Sequence, residues 1–218
     1  MSNLYYPNFE PKVQFERPNL PSAKECFEYL QQFLANFDFI TTNDVSNLYD
    51  YFEYFHYPKN EIILSKGEVC TDLYFIVKGS LIKYVEDDLG KNIILFITET
   101  NFCAAVKSLH FQLPSNYYIA TSENVFGLKL SYQNYFRLVA DKPDFMNFFQ
   151  LMIDETIDLL IARIRVLLAL DAKQRYEVFL NQYPDVYQRF NLQDISNFLG
   201  ITPETLSRLR NTKKTTKS

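Results

Sequence analysis

NLQDISNFLGITPETLSRLRN, residues 191 to 211, reads as two short helices and the turn between them. Asn191 stands where a helix needs a side-chain acceptor for its first unpaired N–H groups, and Ile195, Phe198 and Leu199 share one face behind it. Gly200 sits at the stop, where a left-handed backbone is favoured and glycine adopts it without a Cβ clash. Thr202 caps the next helix, and Pro203 takes its first position, where a missing N–H costs nothing. Leu206 and Leu209 turn inward, leaving Ser207, Arg208, Arg210 and Asn211 on the other faces. Two helices joined by so short a turn make a helix-turn-helix DNA reader, or else an ordinary helical hairpin.

Working back from that segment, a long helix is expected over about Asp144 to Ala169, on the order of 38 Å at ~1.5 Å per residue. In it Ile153, Ile157, Leu160, Ile164 and Leu167 recur alternately four and three apart, an a/d seam. Such a seam predicts a coiled-coil dimer, although a helix of this length can also lie along its own domain.

Further upstream the period shortens. Strands are expected at Glu61–Leu64, Leu73–Val77, Ser80–Val85, Ile93–Ile97, Tyr117–Thr121 and Val125–Leu130. Turn signals containing Gly67, Gly79, Gly90 and Pro114 separate them, which suggests a small antiparallel barrel or roll. Ahead of it, Ser22 with Glu25 forms a capping-box pattern for one helix. A start signal at Thr42 followed by Val45, Leu48, Tyr49, Phe52 and Phe55 predicts a second, ended by Pro58. Residues 1–21 hold four prolines and read as an extended arm.

The chain of 218 residues is long enough for two cores. Its 20 Phe and 16 Tyr, with no Trp, point to aromatic core packing. No apolar run approaches the ~20 residues that span a bilayer, and the first residues lack a signal-peptide core, so a cytoplasmic protein is expected. Cys26, Cys70 and Cys103 are too few and too scattered for a disulfide framework or zinc site and are read as buried thiols. The net charge of −4 argues against nucleic acid, but the charge is unevenly spread. Ala172 to Ser218 carries eight Lys/Arg against four Asp/Glu, and the chain before it 14 against 22. An acidic body with a basic end suits DNA binding at one end. No nucleophile elbow, Walker loop or clustered metal ligands are present, and two scattered histidines leave acid–base catalysis without a home, so no enzyme and no metal site are expected.

These pieces carry a resemblance. KNEIILSKGEVCTDLYFIVKGSL, the hairpin DDLGKN, PSNYYIAT, LLALDAKQRYEVFLNQYP and LQDISNFLGITPETLSRLR occur in the order of the catabolite activator, or Crp/Fnr, regulators. The chain resembles that family over nearly all of residues 22 to 211. The resemblance implies an α+β fold with an N-terminal antiparallel β-roll, a jelly roll of the cyclic-nucleotide-binding type, with flanking helices. A long dimerisation helix and a C-terminal helix-turn-helix follow, here too short for a full wing. The expected divisions are an arm over 1–21, a β-roll sensor over 22–143, a dimer helix over 144–169 and a DNA-binding domain over 170–218. The implied partners are a second copy of the chain, double-stranded DNA in a near-palindromic site and, as a candidate, RNA polymerase. A ligand-binding or interaction module with a vestigial DNA end is the alternative.

Residue by residue, Thr202, Glu204, Thr205, Ser207 and Arg208 fall on the recognition helix. Arg208 suits guanine O6/N7, and Glu204 suits cytosine N4. Glu204 can also simply complement the positive end of its helix. Pro203 replaces an arginine of well-known members, so one base contact is lost. Lys213 and Lys214 could touch phosphates. In the sensor, Ala104 and Ala105 stand for the family's glycine and glutamate, Ser115-Asn116 for its arginine-serine pair, and Leu160 and Ile161 for two hydroxyl residues that meet the base. A buried phosphate without a paired cation is costly, and Lys107 is the nearby cation in sequence. Binding of cyclic AMP in the usual way is therefore not expected, no cofactor is called for, and an unidentified small effector stays open. Three cysteines are one short of an iron–sulfur set, and haem through His110 or Cys103 is a weak alternative.

Overall fold

The computed structural model describes residues 20–88 and 90–215, with side chains as far as Asn211. The extended arm expected over residues 1–21 lies almost wholly outside the described residues, as do the side chains of Lys213 and Lys214.

Eight strands build the roll: β1 Phe52–Tyr57, β2 Ile62–Leu64, β3 Asp72–Lys78, β4 Leu81–Asp87, β5 Gly90–Ile97, β6 Phe102–Cys103, β7 Tyr118–Thr121 and β8 Val125–Ser131. They form two four-stranded sheets, β1-β8-β3-β6 and β2-β7-β4-β5, in which every pairing is antiparallel. The sheets stay separate and do not close into a barrel. Phe75 and Leu128 of the first sheet and Leu81 and Ile119 of the second are all fully buried in one cluster between them. The turn glycines matter most at Gly79, where φ is +98° and a Cβ would overlap the Asn124 carbonyl and lie 2.8 Å from Val125 Cα. Gly127, inside β8, lets the β3 backbone at Phe75 and the Phe55 ring close in on it.

Two strands were not foreseen. The helix expected from Thr42 to Phe55 ends after one turn, as α2, Thr42–Val45. Thr41 and Asp44 cap it reciprocally. Asn47 then takes a left-handed backbone, φ 56°, and a 3-10 turn at Leu48–Asp50 leads into β1. The aromatic stretch FEYFHY pairs with β8 along its whole length, from Phe52↔Leu130 to Tyr57↔Val125. Pairing with a neighbour thus overrides the local helical period, and His56 stacks flat on Phe126 with ring centres 4.2 Å apart. The other new strand, β6, has two residues and no period to read.

Helices flank the roll. α1, Ala23–Leu34, starts at the Ser22–Glu25 capping box, and α3, Val106–Phe111, follows β6. α4, Tyr132–Asp141, leads to α5, Asp144–Ala169, the long helix at its expected bounds. Phe148 of α5 meets Phe33, Phe37 and Phe102, so the abundant phenylalanines knit the roll to its helices. Each such side chain, fully buried, stabilises by roughly 1.5–3 kcal/mol.

The C-terminal end adds α6 Ala172–Gln182, α7 Val186–Arg189, α8 Leu192–Leu199 and α9 Pro203–Thr215. Strand alternation turns Leu81 of β4 into the roll and its neighbours Ile82 and Tyr84 out of it. That outer face is not solvated. Ile82, Tyr84, Ile93 and Phe96 share a second core with Phe179, Phe190, Phe198 and Leu206. The helix-turn-helix therefore packs on the back of the β4–β5 sheet. Among the described residues, no strand follows α9, and no helix is long and apolar enough to cross a membrane.

Candidate nucleic-acid interface and roll pocket

The helix-turn-helix is built as its sequence implies. Asn191 accepts the Asp194 N–H at 2.8 Å and opens α8. Gly200 closes it at φ 62°, ψ 42°, with Ile201 N–H returning to the Ser196 carbonyl at 3.1 Å. Thr202 Oγ1 accepts the Thr205 N–H at 3.2 Å and starts α9. Leu206 is fully buried and anchors the helix, while Leu209 is half-buried. Pro203, Glu204, Ser207, Arg208 and Asn211 line one open depression on the outward side. Of the residues singled out in the sequence, Thr202, Glu204, Ser207 and Arg208 are exposed, and Thr205 is half-buried beside them. Hydrogen bonds from its own backbone N–H and from Thr202 hold the Glu204 carboxyl below its ordinary range, so it stays an acceptor. Arg210 leaves this face and stacks over Tyr187 at 4.6 Å.

The long helix carries an uncovered apolar row. Ile153, Ile157 and Ile164 are 36%, 48% and 55% exposed, joined by Ile161 at 50% and Leu168 at 82%. The other two members of the expected seam, Leu160 and Leu167, are half-buried against their own chain. The open row therefore runs through Ile161 and Leu168 rather than through those two positions.

In the roll, Ala104 and Ala105 are buried just ahead of α3, and Ser115 is buried as well. Ser115 is fully engaged: its Oγ accepts the Tyr117 N–H and donates to the Tyr117 carbonyl, both at 3.0 Å. Its own N–H donates to Glu68 O at 2.8 Å. Asn116 is exposed, as is Ile161. The cation that reaches this corner is not Lys107, which is exposed, but Lys83 of β4. Its ammonium donates to the Ala104 carbonyl at 3.0 Å and lies 4.6 Å from the centre of the Tyr117 ring. Burial pushes the Cys103 thiol up to about 12, so this neighbour is a neutral thiol. Among the described residues, no group of three or more His, Cys, Asp or Glu could hold a metal.

Sequence reasoning missed the contacts that join the C-terminal end to the roll. Arg189 bonds both Glu99 oxygens at 2.9 and 2.8 Å, Glu123 at 2.8 Å and the Gly79 carbonyl at 2.9 Å. Burial alone would lower the Arg189 pKa, but Glu99 and Glu123 outweigh it and hold the value above the usual one. Lys91 of β5 pairs with the buried Asp194 at 2.8 Å. Partners tens of residues apart leave no spacing signal. The clue available was a pair of charges, Arg163 and Arg165, inside the apolar run LLIARIRVLLA.

No protein-family model matches the chain. Among curated proteins it is similar to the "cAMP-activated global transcriptional regulator CRP" of Haemophilus influenzae, 23% identical over 164 residues, 70% of this chain and 73% of that protein. The CRP of Escherichia coli O157:H7 gives 23% over 164 residues, 70% of this chain and 78% of that one. Among solved structures, FixK2 from Bradyrhizobium japonicum superposes with a TM-score of 0.67 at 17% identity, covering 76% of this chain and 86% of its own. The regulator CLP of Xanthomonas campestris, described as c-di-GMP responsive, gives 0.63 at 15% identity over 81% and 93%. A CooA mutant from Carboxydothermus hydrogenoformans gives 0.62 at 18% identity over 78% and 80%. The chain thus has the fold of these structures and is similar in sequence to CRP, a likeness to regulators of the Crp/Fnr type.

Proposed function

We propose that this chain is a sequence-specific DNA-binding transcription regulator that acts as a homodimer on a near-palindromic site. The observation that carries the reading is the outward face of α9. Glu204, Ser207 and Arg208 stand exposed around one depression, on a helix anchored from behind by Leu206. Such a face suits base edges in a major groove. The isoleucine row on α5 supports the dimer, since that much aliphatic surface at helical spacing suits a second copy of the same helix.

In this reading the roll does not take cyclic AMP in the family's usual way. Ser115 stands where an arginine would meet the phosphate, and its polar atoms are already used on Tyr117. Lys83 is turned to the Ala104 carbonyl.

Selection of binding sites from random duplexes by the full chain tests the function. A two-fold motif is expected, and enrichment of no motif would leave an interaction module instead. Within the selected site, Arg208→Ala should cost ~1–3 kcal/mol and relax the preference at one base pair per half-site. Unchanged affinity and preference would remove Arg208 from the readout.

A further inference from the structure

One side chain of α5 touches both the roll and the reading unit. The guanidinium of Arg163 donates from Nη1 to the Ile94 carbonyl at 2.5 Å and from Nη2 to the Ile93 carbonyl at 2.9 Å, both on β5. The same Nη2 reaches the Phe198 carbonyl of α8 at 3.1 Å, and the guanidinium carbon lies 4.0 Å over the Phe198 ring. Three carbonyls from two separate segments thus converge on one planar fork. The acceptor on α8 is in its last turn, where carbonyls lack helical partners and the helix end is electronegative. Arg175 serves the next carbonyl, Leu199, at 2.8 Å. Arg163 lies on the same helix as the exposed Ile157, Ile161 and Ile164, so it links the surface proposed for the partner copy to the helix that precedes α9.

We infer that Arg163 is a positioning residue for DNA recognition: it fixes the angle between the long helix and the helix-turn-helix, and so the half-site spacing of the dimer. This rests on the proposed DNA-binding dimer. Half-site spacing is a geometric property of two rigidly held recognition helices. Nothing in α9 itself specifies it. A lysine at 163 carries the same charge but no fork and cannot serve both segments in one plane.

The test uses the full chain and a library in which the selected half-sites are separated by varying numbers of base pairs. The wild-type protein should prefer one spacing over those one or two base pairs away by about tenfold, the scale of a single misplaced contact. Arg163→Ala should flatten that preference to about threefold or less while keeping the base preference within each half-site, because the reading face is untouched. Loss of overall affinity with the spacing preference intact would mean a merely stabilising residue and would overturn the inference. If Arg163→Ala does not fold, Arg163→Lys replaces it: a flattened preference supports the inference and an unchanged one overturns it. A wild-type protein that selects no two-fold site would defeat the DNA-binding reading instead, an outcome distinct from either.

Discussion

Phe96→Ala is the sharpest perturbation of the joint between the two ends of the chain. The ring leaves β5 on the outer side of its sheet, is 5% exposed, and has its centre 4.1 Å from that of Phe190 and 4.9 Å from that of Phe198. Phe179 and Tyr183 complete its surround, each at 5.9 Å. Removing it leaves a cavity walled by four rings, Phe179 and Phe198 within α6 and α8 and Tyr183 and Phe190 just past the ends of α6 and α7. Truncation of a buried phenylalanine costs ~3–5 kcal/mol. The aromatic pair terms are part of that figure and are not added to it. For a chain of this size the melting point should fall by roughly 2–4 °C per kcal/mol, hence by roughly 6–20 °C. With no tryptophan present, circular dichroism is the assay, and the share of the near-ultraviolet signal due to Tyr176, Tyr183 and Tyr187, three of the 16 tyrosines, reports on the C-terminal end. That signal should be lost at lower urea than the far-ultraviolet signal of the roll, splitting one transition into two. Phe96→Leu, which keeps most of the volume, should cost less than about 1.5 kcal/mol and stay cooperative. If Phe96→Ala unfolds in a single transition within about 1 kcal/mol of wild type, the two ends do not share a core, and the reasoning fails.

Four other outcomes are expected. Gly79→Ala should lower the urea midpoint far more than Gly67→Ala: both have positive φ, but only at Gly79 does the new methyl meet backbone, at Asn124 and Val125. Equal losses would refute the contact argument. Burial raises the thiols of Cys26 and Cys103 from 9.0 to about 12. The folded state therefore holds protons that the unfolded chain releases, so stability is full below pH 9 and falls as pH rises toward 12. A urea midpoint that does not decline between about pH 9 and 11 would contradict this. Light scattering at micromolar protein should give twice the chain mass, and Ile157→Glu should shift it toward the monomer; a monomeric wild type ends the dimer proposal. Titration calorimetry with cyclic AMP should show no binding at micromolar ligand, and a micromolar or tighter affinity would overturn the reading of the altered cassette.

Much of the fold was legible because turns announce themselves. Gly67, Gly79, Gly90 and Pro114 bracket strands that fall within a residue or a few of their expected ends. The caps at Ser22, Asn191 and Thr202 mark helices for the same reason, since a free N–H at a helix start needs an oxygen nearby. The strand at Phe52–Tyr57 was missed because aromatic residues three apart satisfy a helical period, and only β8 decides otherwise. At the candidate interface, Glu204, Ser207 and Arg208 could be placed from helical geometry alone. Lys83 could not, because a strand residue reaches the corner of Ala104 only once the sheet has folded over it. Nor could the outer face of β4 and β5 be read as buried, since alternation separates two faces without saying what covers the second.

That covered face governs how the protein can be taken apart. A roll severed at Leu170 would turn Ile82, Tyr84, Ile93 and Phe96 to water, side by side on neighbouring strands and beside the outer edge of β5, which among the described residues has no strand partner although Arg163 holds its Ile93 and Ile94 carbonyls. An apolar sheet face next to a free strand edge is a surface that recruits copies of itself. The isolated roll would therefore self-associate, and a C-terminal end borrowed from a relative would fit only if its helices brought a matching apolar underside.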